Sequence, residues 1–265
     1  MTSTAEKAAA LSALHVAGDP LVVVNVWDAM TARIVARTPG VRALATASHS
    51  VAFSLGVDDG EGMSVDMALA AAARITASTE LPVSVDFERG YAPDAAGVRQ
   101  NVARLIEAGA AGLNIEDSLA GATSARRPLA EAAERVAAVR AAADAAGVPL
   151  AINARTDTLA GSPDNWSEAI DRANAYADAG ATSIFMLGLR TDQMVADAVA
   201  AVRAPIAVFA HPGYISLARL AELGVGRISF GPQILGLTLH HLAEATAQLT
   251  ARGEYPAELG YRYEL

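Results

Sequence analysis

LPVSVDFE (residues 81–88) is followed by DAAGVRQNVARLIEAG (94–109) and then by AGLNIE (111–116). The first and third stretches are short apolar runs that stop at carboxylates. The second carries apolar residues three and four apart and closes on Gly, as a helix does. Strand, helix and strand in that order make one βαβ unit, and strands this apolar are covered on both faces, which is the situation in a parallel sheet.

The same alternation runs outward in both directions. Apolar runs at LVVVNV (21–26), RALATA (42–47), PVSVDF (82–87), AGLNIE (111–116), PLAINA (149–154), TSIFML (182–187), PIAVFA (205–210) and GRISF (226–230) are separated by Ala-rich helical patterns such as EAAERVAAVRAAADAAG. Eight β/α units in 265 residues predict a (β/α)8 TIM barrel, whose usual length is about 250 residues. A doubly wound sheet is the alternative, but it leaves the eighth unit and the missing Gly-rich first βα turn unexplained. No Ser/Pro/Gly-rich linker interrupts the pattern, so residues 1–265 are expected to form a single domain. The first 19 residues read as an amphipathic helix closing the barrel bottom, because they lack the basic start and unbroken apolar core of a signal peptide. No run reaches the roughly 18 apolar residues of a membrane span. A cytoplasmic protein is the expectation.

A formal net charge of −9 argues against nucleic-acid binding, which uses basic surfaces. Cysteine is absent, which removes disulfides, thiolate metal ligands and thiol nucleophiles. Lys7, in the N-terminal helix, is the only lysine, so a Schiff-base mechanism has no amine at the barrel mouth.

Charged residues stand where apolar runs stop: Asp59 after a turn, Asp86 and Glu88 after the third run, Glu116 after the fourth and Arg155 after the fifth. Asp86 and Glu88, two apart, point to one side of their strand's end. In a parallel barrel these carboxylates meet at the mouth opposite an arginine. Mg²⁺ and Mn²⁺ prefer oxygen ligands and keep several waters, so Asp86 is expected to bind the ion directly while Asp59, Glu88 and Glu116 hold its waters. Asp117 and Asp157 each follow a site residue and read as helix caps or as groups that orient a neighbour. For proton transfer the candidates are His49, His211, Tyr91 and Tyr214. Arg126 and Arg127 read either as a solvated pair or as a cationic lid.

NVWDAMTARIV (25–35), ATASHSVAFSLGVDDGE (45–61), PVSVDFERGY (82–91), GLNIEDS (112–118) and INARTD (152–157) together resemble the isocitrate lyase/phosphoenolpyruvate mutase superfamily from about residue 20 to about residue 235. The resemblance implies a Mg²⁺-binding barrel for a small anionic 2-oxo or 2-hydroxy acid. It also implies a homo-oligomer, dimer or tetramer, with the C-terminal helix exchanged between subunits. By that resemblance Asp86 matches the direct metal ligand, and Asp59, Glu88 and Glu116 match the carboxylates around it. Arg155 matches the arginine on the substrate's carboxylate or phosphonate, and Thr46, Ala47 and Ser48 match the segment that grips the substrate carboxylate. Trp27 matches the first strand end, either walling the pocket or packing. Glu88 stands where many members have Asp, and Ala47 where Ser is common. After Glu116-Asp117 the similar lyases carry a Cys-containing Lys-Lys/Arg-Cys-Gly-His loop; here SLAGATSARRPLAE has no Cys, Lys or His. Leu187 occupies the place of a Glu on the sixth strand, and SFGPQ lacks the His that decarboxylase relatives place on the last. The chain thus resembles a divergent branch.

A 2-oxo acid in such a site becomes an electron sink, because cation and Arg155 stabilise an enolate. The expected function is a Mg²⁺-dependent carbon–carbon lyase. Phosphonopyruvate-type mutase or hydrolase chemistry, oxaloacetate-type decarboxylase or hydrolase chemistry, and a non-catalytic 2-oxo-acid-binding barrel are the alternatives.

Overall fold

A computed structural model of the chain describes residues 2–119, 122–251 and 255. Eight parallel strands close into a barrel: β1 (Leu21–Val26), β2 (Leu44–Thr46), β3 (Val83–Asp86), β4 (Gly112–Glu116), β5 (Ala151–Thr156), β6 (Ser183–Met186), β7 (Ile206–Phe209) and β8 (Arg227–Ser229). Each strand pairs with the next in chain order, and β8 closes on β1 through Leu21 opposite Arg227. The closed order rules out the doubly wound sheet. Every strand lies within or against its predicted run; β5 extends two residues further, carrying Arg155 into the strand, where it pairs with Glu116 of β4.

Helices α1 (Thr4–Ala13), α2 (Ala29–Arg37), α3 (Ser48–Ser54), α4 (Val65–Thr76), α5 (Ala95–Glu107), α6 (Leu129–Ala145), α7 (Thr158–Gly161), α8 (Trp166–Asp178), α9 (Asp192–Ala201), α10 (Leu217–Glu222) and α11 (Gln233–Thr250) fill the connections. Their starts are fixed locally: Asp28, Ser64, Asp94, Thr191 and Ser216 each accept a backbone N–H of the first turn, and such a cap contributes about 1 kcal/mol. Helix α1 closes the bottom as expected. Its Leu11 is fully buried and presses so near Gly112 that a Cβ there would meet the leucine methyl at 2.8 Å. Lys7 is also at this end, donating to the Thr79 carbonyl at 3.0 Å. Among the described residues no helix is long and apolar enough to cross a membrane.

The barrel has two unlike faces. Outward residues such as Val83, Val85, Leu113, Ile115 and Ile152 are buried together with Val98, Val102 and Leu105 of α5 and Val136 and Val139 of α6; side chains of this kind each contribute about 1.5–3 kcal/mol when fully buried. Inward positions are largely polar. Asn153 donates to Asn114 at 2.7 Å and accepts from Ser183 at 2.6 Å, while Arg227 reaches across the interior from β8 to Ser84 on β3 at 3.2 Å. The strands are therefore not apolar on both faces. The inward side carries a hydrogen-bonded polar column that rises to the mouth.

The loop after β4 forms a short antiparallel hairpin, Ser118–Leu119 with Ala122–Arg126; positions 120 and 121 lie outside the described residues. Arg126 pairs with Glu168 at 3.4 Å and Arg127 pairs with Glu131, so each of these arginines is held in an ion pair.

Candidate active site

At the C-terminal ends of the strands lies a cavity of about 260 Å³, lined by Asn25, Thr46, Ala47, Ser48, His49, Asp59, Asp86, Asn114, Arg155, Phe185, Leu187, Phe209 and Ser229 among others. Strand alternation puts Asp86, Asn114, Arg155, Phe185, Phe209 and Ser229 there, each two residues above an inward-facing position of its own strand.

Asp86 is held from two sides. Its backbone N–H donates to Thr46 Oγ1 at 2.8 Å, and its Oδ2 accepts the Ser48 N–H at 3.0 Å. The other oxygen, Oδ1, has no hydrogen-bond donor among the described residues. Asp59 lines the same cavity from the exposed loop after α3.

Glu88 and Glu116 stand behind that wall. Glu88 accepts from the Tyr91 hydroxyl and from the Glu61 N–H, both at 2.5 Å. Burial pushes its carboxyl up to about 7, with the charges of Asp86 and Asp59 adding to the rise and the Tyr91 hydrogen bond opposing it. The turn that carries it is strained: Glu88 and Tyr91 have φ of 46° and 52° on either side of Gly90 at 88°. Non-glycine residues in that region cost about 1–3 kcal/mol each and cluster at functional sites. Glu116 faces Arg155 at 3.0 Å and Arg89 at 3.7 Å and accepts from Ser118 at 2.5 Å; burial raises its pKa, against the pull of Arg155.

Arg155 is set by a bidentate fork. Its Nε and Nη2 donate to the two oxygens of Asp157 at 2.6 and 2.7 Å, and its Nη1 forms an ion pair with Glu116 at 3.0 Å. Burial would lower its pKa, but Glu116 and Asp157 outweigh burial and raise it. Two of the guanidinium's five N–H groups are hydrogen-bonded to Asp157, leaving three for other partners. Asp157 is itself held, its N–H donating at 3.2 Å to Asp117, a buried carboxylate that also accepts from Tyr176 at 2.7 Å and pairs with Arg172 at 3.4 Å. Of the two readings given to Asp117 and Asp157, the structure favours orientation of a neighbour, since neither places a capping hydrogen bond on a helix.

His49 lines the cavity with its ring stacked on Phe53 at 4.1 Å, and its Nδ1 is buried with no hydrogen-bond partner among the described residues. The other candidates sit elsewhere. Trp27 packs against the cluster of Val51, Ala52 and Met63. Tyr91 is spent on Glu88 and rises in pKa, chiefly through burial. His211 lies outside the acid-lined cavity, with Nδ1 2.8 Å from the Pro212 carbonyl and its ring 4.7 Å from that of Tyr214.

Asn25, Asn114, Phe185, Phe209 and Ser229 line the cavity without having been singled out from the sequence. Asn25 ties the mouth together, donating to the Thr46 carbonyl at 2.9 Å and accepting the Phe230 and Gly231 N–H groups at 2.9 and 2.8 Å. The signal for this set was the same two-residue period that marked Asp86 and Glu88.

The donor set suits a hard, hydrated cation. Among the described residues no group of three His, Cys, Asp or Glu side chains is close enough to ligate one ion by itself, so a metal here would take one or two carboxylate oxygens and keep its waters, as Mg²⁺ does.

A cavity that holds carboxylates and a fixed guanidinium together, at the mouth that barrel enzymes use for chemistry, defines the chain as a (β/α)8 barrel enzyme. The phosphoenolpyruvate phosphomutase family matches residues 11–250. The chain belongs to that family, within the isocitrate lyase/phosphoenolpyruvate mutase superfamily. It is 42% identical to a "putative phosphonomutase" from Burkholderia cenocepacia J2315, whose solved structure superposes with a TM-score of 0.89 over 92% of this chain and 99% of that one. It is 32% identical over 252 residues to an uncharacterised protein of Mycobacterium tuberculosis, covering 94% of this chain and 92% of the relative. With the 2-methylisocitrate lyase of Escherichia coli K12 it shares 36% identity over 193 residues, 71% of this chain and 64% of that enzyme. The chain is accordingly a lyase-type enzyme of the superfamily.

Proposed function

We propose that this chain is a Mg²⁺-dependent carbon–carbon bond lyase acting on a small 2-oxo or 2-hydroxy carboxylate through an enolate-type intermediate, with Mn²⁺ as a substitute ion. The observation that carries this reading is Asp86: a carboxylate fixed through one oxygen, with the other free at a cavity that also exposes Arg155. Asp86 and Asp59 would hold the cation, with Glu88 and Glu116 fixing the shell behind them. When bound, the cation supplies Lewis-acid stabilisation of negative charge on the substrate's oxygens.

The chain's own residues do the rest. Arg155 turns N–H groups not taken by Asp157 to the substrate carboxylate and to charge developing on the C2 oxygen. Asp157 and Glu116 keep the guanidinium from swinging, so it needs no reorganisation as that charge grows. In a retro-aldol step a base takes the proton from a C4 hydroxyl and the C3–C4 bond breaks. Its electron pair forms the C2–C3 double bond of the enolate, and an acid returns a proton to C3. His49 is the group we assign to proton transfer, since of His49, His211, Tyr91 and Tyr214 it is the one that lines the cavity. His211 and Tyr91 are placed for other contacts.

We also read the protein as a homo-oligomer, dimer or tetramer, that exchanges its last helix. Among the described residues of α11 only Leu235 is buried, whereas Leu237, Leu239, Leu242 and Leu249 are exposed.

Release of pyruvate, glyoxylate, phosphate and CO₂ measured across C3 to C7 2-oxo and 2-hydroxy acids, with Mg²⁺ and with EDTA, tests the proposal. Metal-dependent carbon–carbon cleavage that is lost in Asp86→Ala supports it. Phosphate release would assign phosphonopyruvate-type chemistry instead, CO₂ release alone a decarboxylase, and metal-dependent binding without turnover a binding barrel.

A further inference from the structure

The lining of the acid site is divided. Ser48, His49, Asp59, Asp86, Asn114 and Arg155, from the β2 to β5 side, carry its polar chemistry, whereas the β6 and β7 side is Phe185, Leu187 and Phe209. Among the residues lining the cavity Arg155 is the only Lys or Arg, and its fork already faces two carboxylates.

The apolar wall is rigid. The Leu187 N–H donates to the Thr156 carbonyl at 3.1 Å, and the next residue, Gly188, has a φ of 110° with Leu159 backbone 2.6 Å from where a Cβ would stand. Phe185 is buried under the Arg155 guanidinium, whose carbon lies 5.7 Å from the ring centroid. Phe209 presses on Gly231 so closely that a Cβ there would meet its ring at 2.9 Å. Beyond Leu187 and Phe209, which are common to both, lies a second cavity of about 200 Å³ that adds Ala160, Met186 and Leu189 and, further from the acid head, the polar side chains of Arg190, His211 and Tyr214.

We propose that Phe185, Leu187 and Phe209 form a subsite for an apolar chain, so that the enzyme takes a 2-oxo monocarboxylate whose chain, apart from the C4 hydroxyl needed for cleavage, is alkyl rather than a di- or tricarboxylate. This rests on the assignment of the acid head to Asp86 and Arg155 above. The head occupies the polar half, which leaves the tail against two phenylalanines and a leucine. A second carboxylate seated against these three side chains would be stripped of water while the wall itself offers it no donor, and burying an unpaired charge is far costlier than burying methylenes. Each methylene seated on the wall tightens binding by roughly fourfold.

The test uses pyruvate, 2-oxobutyrate, 2-oxopentanoate and 2-oxohexanoate, which lack a C4 hydroxyl and so are not cleaved by a retro-aldol step, beside oxaloacetate, 2-oxoglutarate and 2-oxoadipate. Kd is measured with Mg²⁺ by competition against oxalate. Affinity is expected to rise roughly fourfold per methylene through 2-oxopentanoate, and each diacid to bind more weakly than the alkyl acid of matching length. Leu187→Ala should flatten the gradient, and Leu187→Lys should turn the preference toward the diacids. If oxalate binds while the alkyl series is flat or the diacids win, the subsite is refuted and the acid-head assignment survives. If neither oxalate nor any 2-oxo acid binds with Mg²⁺, the assignment of the site fails and the subsite falls with it.

Discussion

Asp157→Asn removes one charge two residues from Arg155 and leaves every strand in place. In the native protein Arg155 is gripped through Nε and Nη2 at 2.6 and 2.7 Å. Asparagine keeps one acceptor and turns an N–H₂ toward the other donor, so one charge-assisted hydrogen bond and the carboxylate charge are lost together. Hydrogen bonds to charged groups contribute about 1.5–3 kcal/mol, and with the Arg155 side chain only 22% exposed little of that is screened by solvent. The guanidinium is then tied to Glu116 alone and turns away from the cavity. At 1.36 kcal/mol per factor of ten, binding of oxalate with saturating Mg²⁺ is expected to weaken by roughly 10- to 150-fold, measured by isothermal titration calorimetry with circular dichroism to verify the fold. An unchanged or tighter Kd in a folded variant would mean that Asp157 only competes for Arg155, and the view of a preorganised arginine would be wrong.

His15 gives a stability test at the other end of the barrel. It is 7% exposed, with Nδ1 bonded to the Leu11 carbonyl at 2.9 Å and Nε2 buried without a partner among the described residues; burial, then the Arg227 charge, hold its pKa down at about 4. With the folded pKa depressed below the ordinary histidine value of about 6.5, the unfolded chain binds the proton first, so stability is lost as pH falls from about 6.5 toward 4. The loss is about 2 kcal/mol between pH 7 and pH 5. His15→Leu should abolish that share of the pH dependence in urea melts; an unchanged slope would contradict it. Asp117→Asn leaves Arg172 and Tyr176 with an uncharged partner in a buried network and is expected to destabilise by about 3–5 kcal/mol, read as a lower urea midpoint; a loss under 1 kcal/mol would place the charge elsewhere. Leu242→Asp on α11 should reduce the oligomer's mass in light scattering while its monomers keep their circular dichroism. Unaltered mass would remove that helix from the interface.

The barrel was legible because each β/α unit writes the same pattern, and the mouth residues were legible where the alternation ends on a charge. Asp86 and Arg155 stand out in VSVD and INAR because charge is rare in such runs. Asn114 in GLNIE and Ser229 in RIS follow the same two-residue period but differ too little from their neighbours to be picked out. The polar inward column was missed for a related reason: small residues such as Ser84 and Ser183 scarcely interrupt an apolar run, and only closure of the barrel brings Arg227 across to Ser84. Glu88 was expected beside Asp86 because extending the strand's alternation by two residues puts both on one side, and Tyr91 was a proton-transfer candidate just beyond it. The left-handed turn through Gly90 carries both behind the cavity wall instead, a change of direction that spacing cannot encode. Phe185 and Phe209 do not stand out from the apolar runs that contain them, and their position at the cavity follows from which side of the strand faces inward at the open end.

Diffraction from crystals soaked with Mn²⁺ and oxalate, the ion located by its anomalous signal, tests the central claim most directly. The account predicts one cation on Asp86 Oδ1 among waters, with oxalate spanning from it toward Arg155. A cation bound away from Asp86, or oxalate bound equally well after EDTA treatment, would contradict it.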